Sequence, residues 1–131
     1  MKTLFKSEII LCFESDVCES ELVSIIKIQE QELHQKSDNR INPITKENNE
    51  GYWIHKINSI ESYDSYDIQR EILDILNNHF MEFKHVIKLY RAKMIIRIFA
   101  ETHEEYPALM FENHFLKKIC DLEGVLDIVI L

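Results

Sequence analysis

The segment that most constrains the fold is Leu116 to Leu131. A helical pattern of Phe115, Leu116, Ile119 and Cys120 stops at Gly124, and the apolar run Val125-Leu126-Asp127-Ile128-Val129-Ile130-Leu131 follows. A helix, a glycine stop and a strand in direct succession predict a segment locked into a sheet rather than a frayed tail. This ending implies a compact α+β domain.

The rest of the chain reads the same way. Phe5 to Phe13 is a strand whose two faces are both apolar in its middle, which predicts a central position covered on both sides. Asp16 to about Gln31 reads as a helix, with Asp16 and Glu19 at capping-box spacing and Leu22, Val23, Ile25 and Ile26 as its apolar stripe. Residues 34–51 form a long polar loop. Tyr52 to Asn58 alternates as a short strand, with Trp53, His55 and Ile57 on one face.

Ser65 to about Tyr90 is helical, capped by Asp64 or Ser65 and weakened at Asn77-Asn78, where a bend would divide it. Lys93 to Ala100 is a strand, Glu101 to Pro107 an acidic loop, Phe111 to Leu122 a helix and Val125 to Leu131 a strand. Two β-α-β units joined by a long helix predict a single domain over residues 1–131. Its sheet would have four to five mostly antiparallel strands, helices mainly on one face and ferredoxin-like β-α-β units.

Composition excludes several classes. The net charge is −8, and residues 1–78 carry 8 Lys/Arg against 15 Asp/Glu. Such an acidic balance opposes nucleic-acid binding by phosphate neutralisation and suits a basic protein partner. Cys12, Cys18 and Cys120 have no C-x-x-C spacing, so neither a disulfide framework nor a four-ligand zinc site is expected. Lys6 and Glu8 interrupt any secretory apolar segment, and no apolar run is long enough to span a membrane. The expectation is a cytoplasmic chain with no membrane, no nucleic acid, no metal and no cofactor.

Catalytic signatures are lacking. With 2 glycines in the chain, a backbone phosphate cradle is not expected. The six histidines show no metal-binding spacing, and His103-Glu104-Glu105 reads as a solvated acidic loop. Cys12 and Cys120 read as small core residues, while Cys18 lies at a helix start among acids. No residue is assigned a catalytic role.

Four residues stand out as ligand-binding candidates. Asp127 is the one charged residue of the last strand, and Arg97 or His55 could supply its partner from other strands. Trp53 and His55 share a strand face just after the long loop, as the side chains of a pocket would. Each has a plainer account: a core tryptophan, an edge histidine, one structural ion pair. Lys84, Lys88, Arg91, Lys93 and Arg97 form the only basic stretch, which could receive an anion or simply complement a helix C-terminus.

The chain resembles the bacterial domain-of-unknown-function family 4279 over nearly its whole length. The likeness rests on the strand Glu8 to Phe13, the helix start Asp16 to Ile28, the lone Trp53 after a polar loop, Leu73-Asp74-Ile75-Leu76, and the ending Leu116 to Ile130 with Asp127-Ile128. The family often has Leu-Gly where this chain has Lys27-Ile28, and often ends Asp-x-Asp-x-Tyr where this chain has Asp127-Ile128-Val129-Ile130-Leu131. The resemblance implies a small α+β domain and brings no catalytic residue.

Three function classes follow. The first is a non-enzymatic protein-binding domain, concretely an immunity-type protein neutralising a toxin. The second is a small-molecule binder or enzyme with a pocket near Trp53, His55 and Asp127. The third is a structural or regulatory homo-oligomer, such as a homodimer paired through an exposed edge strand.

Overall fold

The computed structural model describes residues 2–36, 51–102 and 109–131. Five strands and four helices follow one another as β1 (Thr3–Phe13), α1 (Glu19–Ile25), β2 (Gln31–His34), β3 (Gly51–Ser62), α2 (Tyr66–Asn78), α3 (Phe80–Tyr90), β4 (Lys93–Glu101), α4 (Asn113–Asp121) and β5 (Val125–Ile130). They build one mixed sheet in the order β2-β3-β1-β4-β5. The first four strands pair antiparallel, and β5 joins β4 in parallel. The four-stranded part is the split β-α-β arrangement expected, and α4 carries the chain over to the added fifth strand.

β1 is the central strand, and Ile9, Ile10, Leu11, Cys12 and Phe13 are all buried. One of its faces joins the main core, where Phe5, Ile9, Leu11 and Phe13 meet Leu22, Ile68, Ile72, Leu76, Phe83 and Phe115 from the helices. On the other face Ile10, Cys12, Tyr52, Ile54 and Ile95 form a smaller buried cluster with no helical residue in it. The helices therefore pack on one face, as alternation along each strand requires.

The first helix is shorter than its sequence pattern predicts. It ends at Ile25; Ile26 is extended, Glu30 is left-handed at φ 59, and Gln31 opens β2. The reason lies in the side chains that must be buried. Ile26 and Ile28 are both in the core, and that i, i+2 spacing suits extended backbone rather than a helix. Gln31 completes the turn by donating through Nε2 to the carbonyls of Ile26 and Ile28, at 3.0 and 2.7 Å.

The start differs too. The cap position is Cys18, without a side-chain capping bond, and not Asp16. Gln35 brackets the preceding residue: Val17 N–H donates to its Oε1 at 3.0 Å, and its Nε2 donates to Val17 O at 2.7 Å.

β3 runs to Ser62, four residues beyond the alternation at Tyr52–Asn58, because β1 keeps pairing with it past a bulge between Phe5 and Ser7. The long helical segment divides at His79, one residue after Asn78. Asp64 supplies the side-chain bond at the start of α2, accepting from Tyr66 N–H at 3.0 Å.

The C-terminal unit forms as expected. Glu123 is left-handed at φ 53, its N–H donates to Cys120 O, and Gly124 N–H donates to Ile119 O, both at 2.9 Å. This is a Schellman ending in which Glu123 occupies the position glycine usually takes. Gly124 is required for a different reason: a Cβ there would meet Ile119 Cγ2 at 3.1 Å and Ile119 O at 3.3 Å.

Candidate functional site

The register across the sheet separates the four candidate residues into two pairs. Trp53 lies opposite Leu11 and His55 opposite Ile9, so both point toward the helical layer. Trp53 is fully buried, meets Phe83 edge to face at 5.8 Å, and donates from Nε1 to Gln31 Oε1 at 2.8 Å. His55 Nδ1 lies 3.3 Å from Glu30 O. The tryptophan is a core residue, and its polar edge is satisfied internally.

Arg97 and Asp127 lie on the opposite face. Arg97 is the register partner of Asp127, and its Nε donates to Asp127 Oδ2 at 2.7 Å. Their side chains are 16% and 39% exposed. The structure thus brings Arg97 and Asp127 together and holds Trp53 and His55 on one face, but the sheet separates the pairs. A single pocket containing Trp53, His55 and Asp127 is not formed, because odd positions of β3 and odd positions of β5 project to opposite sides of the sheet.

The ion pair belongs to a longer row that sequence reading missed. Glu8 lies opposite Lys56 on one side and opposite Arg97 on the other. Lys56, Glu8, Arg97 and Asp127 therefore alternate in charge across β3, β1, β4 and β5. Among the described residues only Arg97 and Asp127 of this row form an ion pair; the other two steps set opposite charges side by side, which favours the register. The strand register was the missing signal.

The basic stretch is divided by the fold. Lys84, Lys88 and Arg91 line a cleft of about 580 Å³ with Asp121 and Glu123, over a floor of Ile87, Ala92 and Leu122. Lys93 and Arg97 lie on the sheet instead. Both α3 and α4 end at this cleft, so their carbonyl ends favour the cations, as helix C-termini do. Asp121 is paired with Lys117 at 3.0 Å.

A second groove, of about 650 Å³, lies between α1 and α3 and is lined by Ser24, Ile25, Lys27, Met81, Glu82 and His85, with His79 at its end. Glu82 fixes its geometry. Lys27 N–H donates to Glu82 Oε1 at 2.9 Å, and His79 Nδ1 lies 2.6 Å from Glu82 Oε2. Burial pushes the Glu82 carboxyl up, but these two hydrogen bonds outweigh it and hold it below the ordinary value.

The apolar lining of this groove is Ile25 and Met81. Met81, His85 and Leu89 succeed one another at i, i+4 and i+8 along α3, all exposed, with Met81 71% and Leu89 49% accessible; Val23 on α1 is 47% exposed. That spacing was legible in the sequence but was absorbed into the helix pattern. On and just before α1, Glu14, Asp16, Glu19 and Glu21 are all exposed, and residues 7–26 contain no Lys or Arg. Tyr90 O–H donates to Glu21 Oε1 at 2.6 Å.

The cysteines divide differently from expectation. Cys12 is buried, whereas Cys120 is exposed and not a core residue, because Phe115 and Ile119 already fill the inward stripe of α4. Cys18 is exposed, and its hydrogen bond with Ser20 Oγ at 3.3 Å holds its thiol below the ordinary value. Among the described residues no group of three or more His, Cys, Asp or Glu could hold a metal ion, and no helix is long and apolar enough to cross a membrane. His103-Glu104-Glu105 and most of the 34–51 loop lie outside the described residues.

No curated protein and no solved structure matches this chain significantly. A family model does match, over residues 7–131, and it spans the central strand, the helical layer and the added fifth strand. The chain therefore belongs to the family described as Domain of unknown function (DUF4279).

Proposed function

We propose that this chain is a non-enzymatic protein-binding domain that takes a basic protein partner on its α1–α3 face. The concrete form is an immunity-type protein that neutralises a bacterial toxin. The observation that carries this reading is the exposed surface of the two helices: Met81 and Leu89 on α3 and Val23 on α1 are exposed, and the carboxylates Glu14, Asp16, Glu19 and Glu21 are exposed on and just before α1. Scattered exposed apolar residues need no account, but three on two neighbouring helices would provide anchors that a partner desolvates. The neighbouring carboxylates would steer a cationic surface and set its orientation.

The test is co-expression with a basic protein encoded beside this chain, followed by affinity measurement on the purified pair. Met81→Glu is expected to weaken binding at least tenfold through faster dissociation. Glu14→Lys with Glu19→Lys is expected to slow association and flatten its salt dependence. A neighbouring protein that does not bind, or one that binds all these variants as tightly as the parent, refutes the reading.

A further inference from the structure

We propose that two copies of this chain pair through their β5 strands, antiparallel, with the two-fold axis at Ile128. Among the described residues β5 is the outermost strand on its side of the sheet. Leu131 N–H donates to Ala100 O at 3.0 Å, and Ala100 is the register partner of Ile130. In a parallel ladder this assigns the N–H and C=O groups of odd-numbered β5 residues to β4. Alternation turns those of Leu126, Ile128 and Ile130 outward.

Three outward residues centred on Ile128 form a self-complementary set. In an antiparallel pair Ile128 meets its own copy, and Leu126 meets Ile130 in both directions, giving about six hydrogen bonds between residues that each offer both groups. Val125, 46% exposed, then lies opposite Leu131, 64% exposed, and Ile130, 56% exposed, lies beside Leu126.

Hydrogen bonding and charge select this register over its neighbours. Residues facing the same side must have the same parity, so the nearest alternatives place the axis at Asp127 or at Val129; the second pairs only Ile128 with Ile130 among the outward residues and gives fewer hydrogen bonds, and charge decides against the first. Centring on Asp127 would set two Asp127 carboxylates opposite each other, with Cα atoms about 4.5 Å apart. Centring on Ile128 places Asp127 opposite the partner's Val129 and leaves its bond to Arg97 undisturbed. β5 carries no proline and no lysine, the usual guards of an edge strand.

The experiment is sedimentation velocity on the full chain from about 1 to 500 µM, with amide hydrogen exchange in parallel. The proposal expects a concentration-dependent dimer in which exchange at Leu126, Ile128 and Ile130 slows as concentration rises. Val129→Asp places a second carboxylate opposite Asp127 twice per dimer and is expected to weaken association roughly tenfold. Val129→Lys offers Asp127 a counter-charge and is expected to associate at least as tightly as the parent. A monomer at every concentration, exchange at those three amides independent of concentration, or equal effects of the two substitutions would each overturn the proposal. The exchange measurement needs no variant, so a misfolded substitution does not remove the test.

Discussion

Arg97 stands between two carboxylates, with its Nε 2.7 Å from Asp127 Oδ2 on one side and Glu8 as its register partner on the other. Removing Arg97 leaves Asp127 without its partner and Glu8 without a neighbouring cation, and should therefore cost more than removing Asp127. Arg97→Ala is expected to lower stability by about 2 kcal/mol and Asp127→Ala by about 1 kcal/mol. Urea unfolding of the two variants measures the order, and equal costs would show that Glu8 does not contribute.

Gln31 joins three separate polar groups. Its amide donates to the carbonyls of Ile26 and Ile28 and accepts from the Trp53 indole. Gln31→Leu leaves all three without that partner and is expected to destabilise the chain by about 2 to 4 kcal/mol. The lone tryptophan reports the change directly, through a red-shifted emission in the folded variant. An unshifted spectrum with unchanged stability would rule out this role.

How far the sequence revealed these features depended on whether the determinant was local. The ending Phe115 to Leu131 was readable because its helix stripe, glycine and strand are contiguous. β1 was readable because both faces are apolar. The end of α1 was not, because Gln31 acts on carbonyls that only the folded turn presents. β2 was hidden in a segment of low apolar content, Gln31 to His34, which is a strand only because β3 lies beside it. Among the candidate residues, Arg97 with Asp127 could be paired by chemistry, but assigning them to the face away from Trp53 required the register.

Glu123 is a left-handed residue with a side chain, at φ 53. Glu123→Gly should remove that conformational cost and raise stability by about 0.5 to 1 kcal/mol. Gly124→Ala should do the opposite, since the new methyl would crowd Ile119 at 3.1 Å. Denaturant midpoints that move in the same direction for both would contradict this division of roles.

Tyr90 should ionise late. Its partial burial, followed by its hydrogen bond to Glu21, pushes its phenol from 10.0 up to about 12. A phenol raised in the folded state favours the protonated form, so its contribution to stability is complete below about pH 10 and is lost as pH rises toward 12. Absorbance titration near 295 nm should show one late transition that Tyr90→Phe removes. An unchanged titration in that variant would disprove the assignment.

The position of β1 also governs when the chain can fold during synthesis. Leu4 to Cys12 pairs with Lys93 to Glu101, so the central strand emerges from the ribosome about 80 residues before one of its two neighbours exists. At typical elongation rates that interval is on the order of 4 to 16 s. Ile9, Ile10 and Leu11, all fully buried in the finished sheet, spend that time without their β4 partners. A nascent chain of this topology therefore has its greatest need of chaperone protection in its first strand, and that need ends only once β4 has been made.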